Sequence, residues 1–229
     1  MSRIFITGDT HVDYDWSKLN TSRFPEQKTL NKDDYVIILG DFGGVWDDGV
    51  QDRYIIKSYN KRNFTTLFID GNHENHDRLS RYPVDEWNGG KVHRISDSVI
   101  HLMRGQIYTI NGITFFTMGG AESTDKKYRK EGVSWWPGEL PSSEEYTEAV
   151  SNLEKNGNKV DCILTHCAPE STVCGMNMQK MYSRKANELT NFFDALARTI
   201  TFRDWYFGHY HGDSDCGKYH MVYQRIIEL

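Results

Sequence analysis

An α/β fold follows from three features of the sequence: short apolar runs that break off at polar residues, helical patterns between those runs, and a hairpin signal in the middle of the chain. The runs are "RIFITGDTH" from position 3, "YVIILGDFGG" from 35, "TTLFIDGNHEN" from 65, "VDCILTHCAP" from 160 and "WYFGHYHGD" from 205. Each is strand-length and rich in β-branched or aromatic residues. Their hydrophobicity is continuous instead of alternating, which predicts strands covered on both faces, as in a sheet flanked by other layers.

Helical patterns fill the intervals. "DDGVQDRYIIKSYNKRN" (47–63) joins the second run to the third. "SSEEYTEAVSNLEKNGN" (142–158) opens with Ser142 three residues before Glu145, the spacing at which the two side chains cap each other's backbone, and stops near Gly157. In "SRKANELTNFFDALART" (183–199), Leu189, Phe192, Phe193 and Leu196 recur at i, i+3, i+4 and i+7, so one stripe of that helix is expected to be buried. The stretch 98–120 has strand-like runs joined by Asn111-Gly112, residues at ease with positive φ, and is expected to be antiparallel. The tail "KYHMVYQRIIEL" reads as strand. No repeat, low-complexity tract or linker interrupts the pattern, so residues 1–229 are expected to form one domain.

Composition narrows the function. With 27 Lys and Arg against 32 Asp and Glu, the formal charge is -5, which offers no basic footprint for nucleic acid. No run approaches the roughly 18 apolar residues of a membrane span, and the N-terminus has no leader pattern. Cys162, Cys167, Cys174 and Cys216 form no CxxC pair or dense framework. They read as small buried hydrophobes of a cytoplasmic chain.

The polar residues that end the apolar runs carry the chemistry: Asp9 and His11, Asp41, Asn72 and His73, His166, then His209 and His211. Ligand sites in α/β sheets lie outside the carboxyl ends of strands, so five segments are aimed at one place. Residues two apart in extended chain point the same way, which lets Asp9 act with His11, and His209 with His211. Each signal alone is weak; together they form a coherent donor set of carboxylate, imidazole and amide oxygen without thiolate. Such a set suits Mn, Fe, Zn or similar divalent ions.

"GDTH", "GDFGG", "GNHE", "LTHCAP" and "GHYH", in that order, resemble the motif series of the calcineurin-like metallophosphoesterase superfamily, from Asp9 to His211. The resemblance implies a four-layer α/β/β/α sandwich with two mixed sheets. It implies two divalent ions per chain, Mn²⁺ first, with Fe, Zn, Ni and Mg as alternatives. Asp9, His11 and His211 would bind one ion, Asn72, His166 and His209 the other, and Asp41 would bridge them. A water held between two ions about 3.5 Å apart has its pKa lowered far below about 15.7, supplying hydroxide for attack on phosphorus. His73 then takes the family's role of protonating the departing oxygen or stabilising its charge.

The implied activity is phosphoesterase, a phosphatase first, acting on a small phosphorylated molecule or a phosphoprotein. A phosphodiesterase of cyclic nucleotide, dinucleotide or nuclease type is the alternative, followed by a non-catalytic scaffold. The chain departs from the protein phosphatases of the superfamily at Gly44, where they carry the aspartate of Asp-Arg-Gly; their phosphate-binding arginine is missing there too. That leaves Asp47, Asp48 and Glu74 as candidates to orient His73. Glu122 or Asp125 in "GGAESTD" reads as surface loop or as support for the site. Trp135 and Trp136 read as core or as a stacking wall of a substrate pocket. His93, His101 and His220 read as ordinary surface or strand residues, and Tyr210 as pointing away from the site.

Overall fold

The computed structural model describes residues 2–12, 15–176 and 186–229, with the side chain of Cys174 outside that set. One sheet contains β1 (Ile4–Thr7), β2 (Tyr35–Leu39), β3 (Thr65–Ile69), β4 (Val84–Trp87), β5 (Gly90–Ser96), β6 (Val99–Leu102) and β13 (Ile226–Glu228), in the order β13-β1-β2-β3-β6-β5-β4. β1, β2, β3 and β6 are parallel, and β13, β5 and β4 are each antiparallel to a neighbour. The other sheet contains β7 (Gln106–Ile110), β8 (Ile113–Met118), β9 (Cys162–Thr165), β10 (Asp204–Phe207), β11 (Ser214–Cys216) and β12 (Tyr219–Met221), ordered β11-β12-β10-β9-β8-β7. Its parallel strands are β8, β9, β10 and β12.

Strand periodicity sorts the side chains into layers. Ile4, Ile6, Ile37, Leu39, Leu67 and Ile69 of the first sheet meet Tyr108, Phe115, Cys162, Leu164 and Tyr206 of the second in a shared core. Their neighbours in sequence face outward: Phe5, Val36, Ile38 and Phe68 pack under Ile55 and Tyr59 of α1 (Val50–Asn60). Phe116, Met118, Ile163, Trp205 and Phe207 pack under α3 (Ser143–Lys155) and α5 (Glu188–Thr199). The result is the α/β/β/α sandwich with two mixed sheets, and continuous burial of the central strands accounts for their unbroken hydrophobicity. Two short helices, α2 (His76–Leu79) and α4 (Glu170–Gly175), follow β3 and β9. No helix among the described residues is long and apolar enough to cross a membrane.

Local chemistry sets the element ends. Ser142 and Glu145 form the reciprocal cap of α3. α1 starts at Val50 and not at Asp47, because the Asp52 carboxylate accepts the N–H groups of Trp46, Asp47 and Asp48 at 2.7, 2.8 and 2.8 Å and holds them in a turn. α5 starts at Glu188, capped by Asn187; residues 183–185 of the expected helix lie outside the described residues. Leu189, Phe193 and Leu196 form its buried stripe.

The antiparallel reading of 98–120 needs correction. Asn111-Gly112 (φ 53° and 78°) does turn β7 into β8, but β6 pairs parallel with β3 and belongs to the opposite sheet. The tail likewise divides, β12 joining one sheet and β13 the other. The β4–β5 hairpin was not anticipated; its polar edge strand masks an Asn88-Gly89 turn with φ 49° and 96°.

Trp205, fully buried against the rings of Phe193, Phe202 and Tyr219, should be costly to truncate. Urea denaturation should show Trp205→Ala losing about 3–5 kcal/mol and Ser142→Ala about 1 kcal/mol. A loss below about 1 kcal/mol for Trp205→Ala contradicts this account of the core.

Candidate metal centre

Every candidate ligand follows the carboxyl end of a parallel strand. Asp9 and His11 follow β1, Asp41 follows β2, and Asn72 and His73 follow β3; His166 follows β9, and His209 and His211 follow β10. Three strand ends of one sheet therefore face two of the other. Ligand atoms of Asp9, His11 and His211 lie within 4.8 Å of one another, as do those of Asp41, His166 and His209, and those of His11, Asp41 and His73. Asn72 joins the second group, its Oδ1 lying 3.2 Å from His166 Nε2.

Asp41 is the hub. Its Oδ2 lies 3.1 Å from His11 Nε2 and 3.4 Å from His166 Nε2, and its Oδ1 accepts the His73 N–H at 2.7 Å. Against the opposing effect of burial, His166, His11 and His73 hold this carboxyl well below the usual carboxylate range. The reciprocal effect raises two imidazoles. Burial pulls His11 down, but Asp41, Asp9 and Asp15 outweigh it and bring it to about 9. His166 is raised to about 9 by Asp41, Asp9 and the Leu39 carbonyl, again against burial.

The ligands are oriented from behind. His166 Nδ1 donates to the Leu39 carbonyl at 2.6 Å, and His11 Nδ1 to Asp15 Oδ2 at 2.9 Å, which aims each Nε2 inward. Asp15 is held in turn by Tyr223 Oη at 2.7 Å. Asn72 Nδ2 donates to Ser123 Oγ at 3.1 Å, so the amide oxygen is the atom that faces His166. The Tyr210 ring lies in the core outside the second sheet, edge-on to the His209 ring at 5.1 Å, and its Oη accepts the Ala168 N–H at 3.3 Å.

Backbone strain concentrates at the same place. His11, Asp41, His209 and His211 have φ of 31°, 48°, 67° and 48°, a region that residues other than glycine seldom occupy. The glycines permit close approach: a Cβ on Gly40 would strike the His166 ring, and one on Gly208 would strike Asp9 Oδ1.

The donor set fits divalent cations. Asp9 Oδ2 is buried with no hydrogen-bond donor, yet it lies 3.1 Å from His211 Nε2. A carboxylate oxygen and an imidazole nitrogen facing each other without a hydrogen bond suit two ligands of one ion. Oxygen and imidazole donors without thiolate match Mn, Fe and Zn chemistry.

None of Asp47, Asp48 and Glu74 orients His73 in the way expected. Asp47 accepts the Gly49 N–H, Asp48 pairs with Arg78, and Glu74 turns inward to the Phe42 N–H at 2.7 Å. Burial and the nearby Asp41 charge push the Glu74 carboxyl well up. Arg129 reaches His73 instead, with Nη1 3.1 Å from Nδ1 and Nη2 3.3 Å from Nε2. Asp125 anchors that arginine at 2.8 Å, so of the two acidic residues in "GGAESTD" it is Asp125 that supports the site. Glu122 accepts from Asn187 and lies 3.5 Å from Lys126 Nζ.

A cavity of about 600 Å³ opens beside His11 and His73 and is lined by Val12, Trp46, Asp47 and Val50. Trp46 thus forms the aromatic wall, with Trp136 packed edge-on against it at 5.0 Å; Trp135 instead lies under Lys126. His93 and His101 are not surface residues: they are buried on β5 and β6, where His101 Nε2 meets Asp70 at 3.1 Å. His220 bridges Asp204 and Asp215. Arg129, Ser123, Asp15 and Trp46 were not identified from the sequence.

Two mixed sheets whose strand ends converge on a cluster of Asp, His and Asn side chains define a metal-dependent phosphoesterase class. The family model for calcineurin-like phosphoesterase matches residues 2–213, and the chain belongs to that family. No curated protein sequence matches the chain.

Raised to about 9 by the surrounding carboxylates, His11 and His166 should each carry a proton at pH 7 before metal binds, and must be neutral to coordinate. Manganese binding at pH 7 should therefore release about two protons per chain, read by calorimetry in buffers of different ionisation enthalpy. Asp15→Ala should weaken manganese binding about 10- to 100-fold. Binding without proton release would contradict the geometry.

Proposed function

We propose that the chain is a cytoplasmic, single-domain phosphatase that hydrolyses phosphate esters with two divalent ions, manganese first. Asp9, His11 and His211 would hold one ion, Asn72, His166 and His209 the other, and Asp41 would serve both. The carrying observation is the buried Asp41 carboxylate, which faces His11 of one group and His166 of the other within 3.4 Å. Two dications against two carboxylates leave the site net positive, as a phosphate requires. When bound, such ions polarise phosphate oxygens and lower the pKa of the attacking water.

The chain's own residues supply the rest. As the water oxygen bonds to phosphorus, the ester P–O bond breaks and the departing oxygen must gain a proton. His73 sits in contact with the hub, its backbone tied to Asp41. Burial, with Arg129, His11 and His166, lowers its pKa against the pull of Asp41, which favours the ring as an N–H donor that stabilises the charge on that oxygen while solvent supplies its proton. The cavity beside it, walled by Trp46, receives the alcohol portion. Cys162, buried, and Cys216, exposed, form no disulfide among the described residues, which suits a reducing compartment.

Reconstituted with Mn²⁺, the protein should contain about two ions per chain and hydrolyse p-nitrophenyl phosphate. Asp41→Asn should lose both activity and metal; His73→Ala should lose about 10²-fold in kcat on an alkyl phosphate, whose departing oxygen is strongly basic, with metal retained. Failure to cleave either p-nitrophenyl phosphate or its bis-ester with any of several divalent ions rejects the catalytic reading. Cleavage of the bis-ester alone replaces phosphatase with phosphodiesterase.

A further inference from the structure

We propose that Arg129 is the substrate-phosphate clamp of this site and selects a phosphate monoester dianion over a diester. The inference rests on the phosphoesterase reading above and adds to it a residue that decides specificity.

Both Nη atoms of Arg129 are directed at the His73 ring, Nη1 lying 3.1 Å from Nδ1 and Nη2 3.3 Å from Nε2. Each terminal nitrogen of a guanidinium carries two N–H groups, so this contact leaves Nη2 a second donor.

Those N–H groups are partly committed. Nε donates to Asp125 Oδ2 at 2.8 Å, and Nη1 donates to the Ser134 carbonyl at 3.1 Å. Among the described residues, no carbonyl or carboxylate accepts from Nη2. The side chain is 20% exposed, so it is neither buried in a closed network nor waving in solvent. An arginine held from two sides, with a spare donor edge beside the residue that touches Asp41, is preorganised for an anion at the metal cluster.

The loop that delivers Arg129 is itself fixed to the site. Gly120 N donates to the Asp70 carbonyl at 2.9 Å, Ser123 N donates to Glu139 Oε1 at 3.0 Å, and Ser123 Oγ takes the Asn72 amide. The segment after β8 thus spans from the second sheet to the strand end of the first, where His73 lies.

A monoester dianion carries three non-bridging oxygens, and a diester only two with one charge. Two ions can engage two oxygens; the third, present only in the monoester, is the one left for a planar cation. Removing Arg129 therefore should penalise monoesters selectively.

The test compares wild type, Arg129→Ala and Arg129→Lys as manganese-loaded proteins. It measures kcat and KM for p-nitrophenyl phosphate and its bis-ester, and inorganic phosphate binding by calorimetry. Because Arg129 also contacts His73, both esters should slow, but Arg129→Ala should raise the monoester KM and weaken phosphate binding about 10- to 100-fold, and should lower kcat/KM for the monoester about tenfold more than for the diester. Manganese content should be unchanged. Arg129→Lys, which keeps the charge without the planar fork, should restore only part of the loss. Equal losses on both esters, unchanged phosphate affinity, or a wild type that prefers the diester would each overturn the clamp. If the wild type cleaves neither ester, the phosphoesterase reading fails, and phosphate calorimetry alone still decides whether Arg129 holds an anion.

Discussion

The buried carboxylate of Asp41 is the constraint on which the rest of the molecule depends. It is 1% exposed, and a charge removed from water costs several kcal/mol unless it is met by partners. No neighbour in β2 can meet it. Its partners come from the ends of β1, β3 and β9, on two different sheets, so satisfying this one group requires the two sheets to face each other at their carboxyl ends. The shared core of isoleucine, leucine and aromatic side chains between the sheets then holds those ends in register.

The cost of this arrangement is carried by the backbone around it. Four candidate ligands sit at positive φ, each costing on the order of 1–3 kcal/mol, and such strain persists only where the surroundings leave no alternative. Lys18 shows how closely the loops are tied: its buried ammonium donates to the carbonyls of Gly8, Asp9 and Tyr223, joining the β1 loop to the segment after β12. Burial lowers its pKa to about 8 in spite of Asp9, Asp15 and Asp213. Asp9 in turn accepts the His209 N–H at 2.9 Å, which couples the first motif to the last.

What could be read from the residues alone was what local pattern encodes. Unbroken apolar runs ending in Asp9, Asp41, Asn72, His166 and His209 disclosed both the buried strands and the cluster, because the same strand ends that bury the core aim the ligands. Arg129 was hidden for the opposite reason. It lies 56 residues from His73 in a stretch of lysines that resembles a solvated surface, and only the closed fold brings it to that ring. Asp15 reads as an ordinary loop acid until His11 and Tyr223 close on it. The sheet to which β6 belongs could not be told from its sequence either, since a short apolar strand pairs equally well on either side of the hairpin that follows.

Anomalous diffraction from crystals soaked in manganese decides whether one carboxylate holds two ions between the sheets. Two peaks about 3.5 Å apart are expected, one beside Asp9, His11 and His211 and the other beside Asn72, His166 and His209, with Asp41 touching both. A single peak, or two peaks that do not share Asp41, would contradict that bridging role.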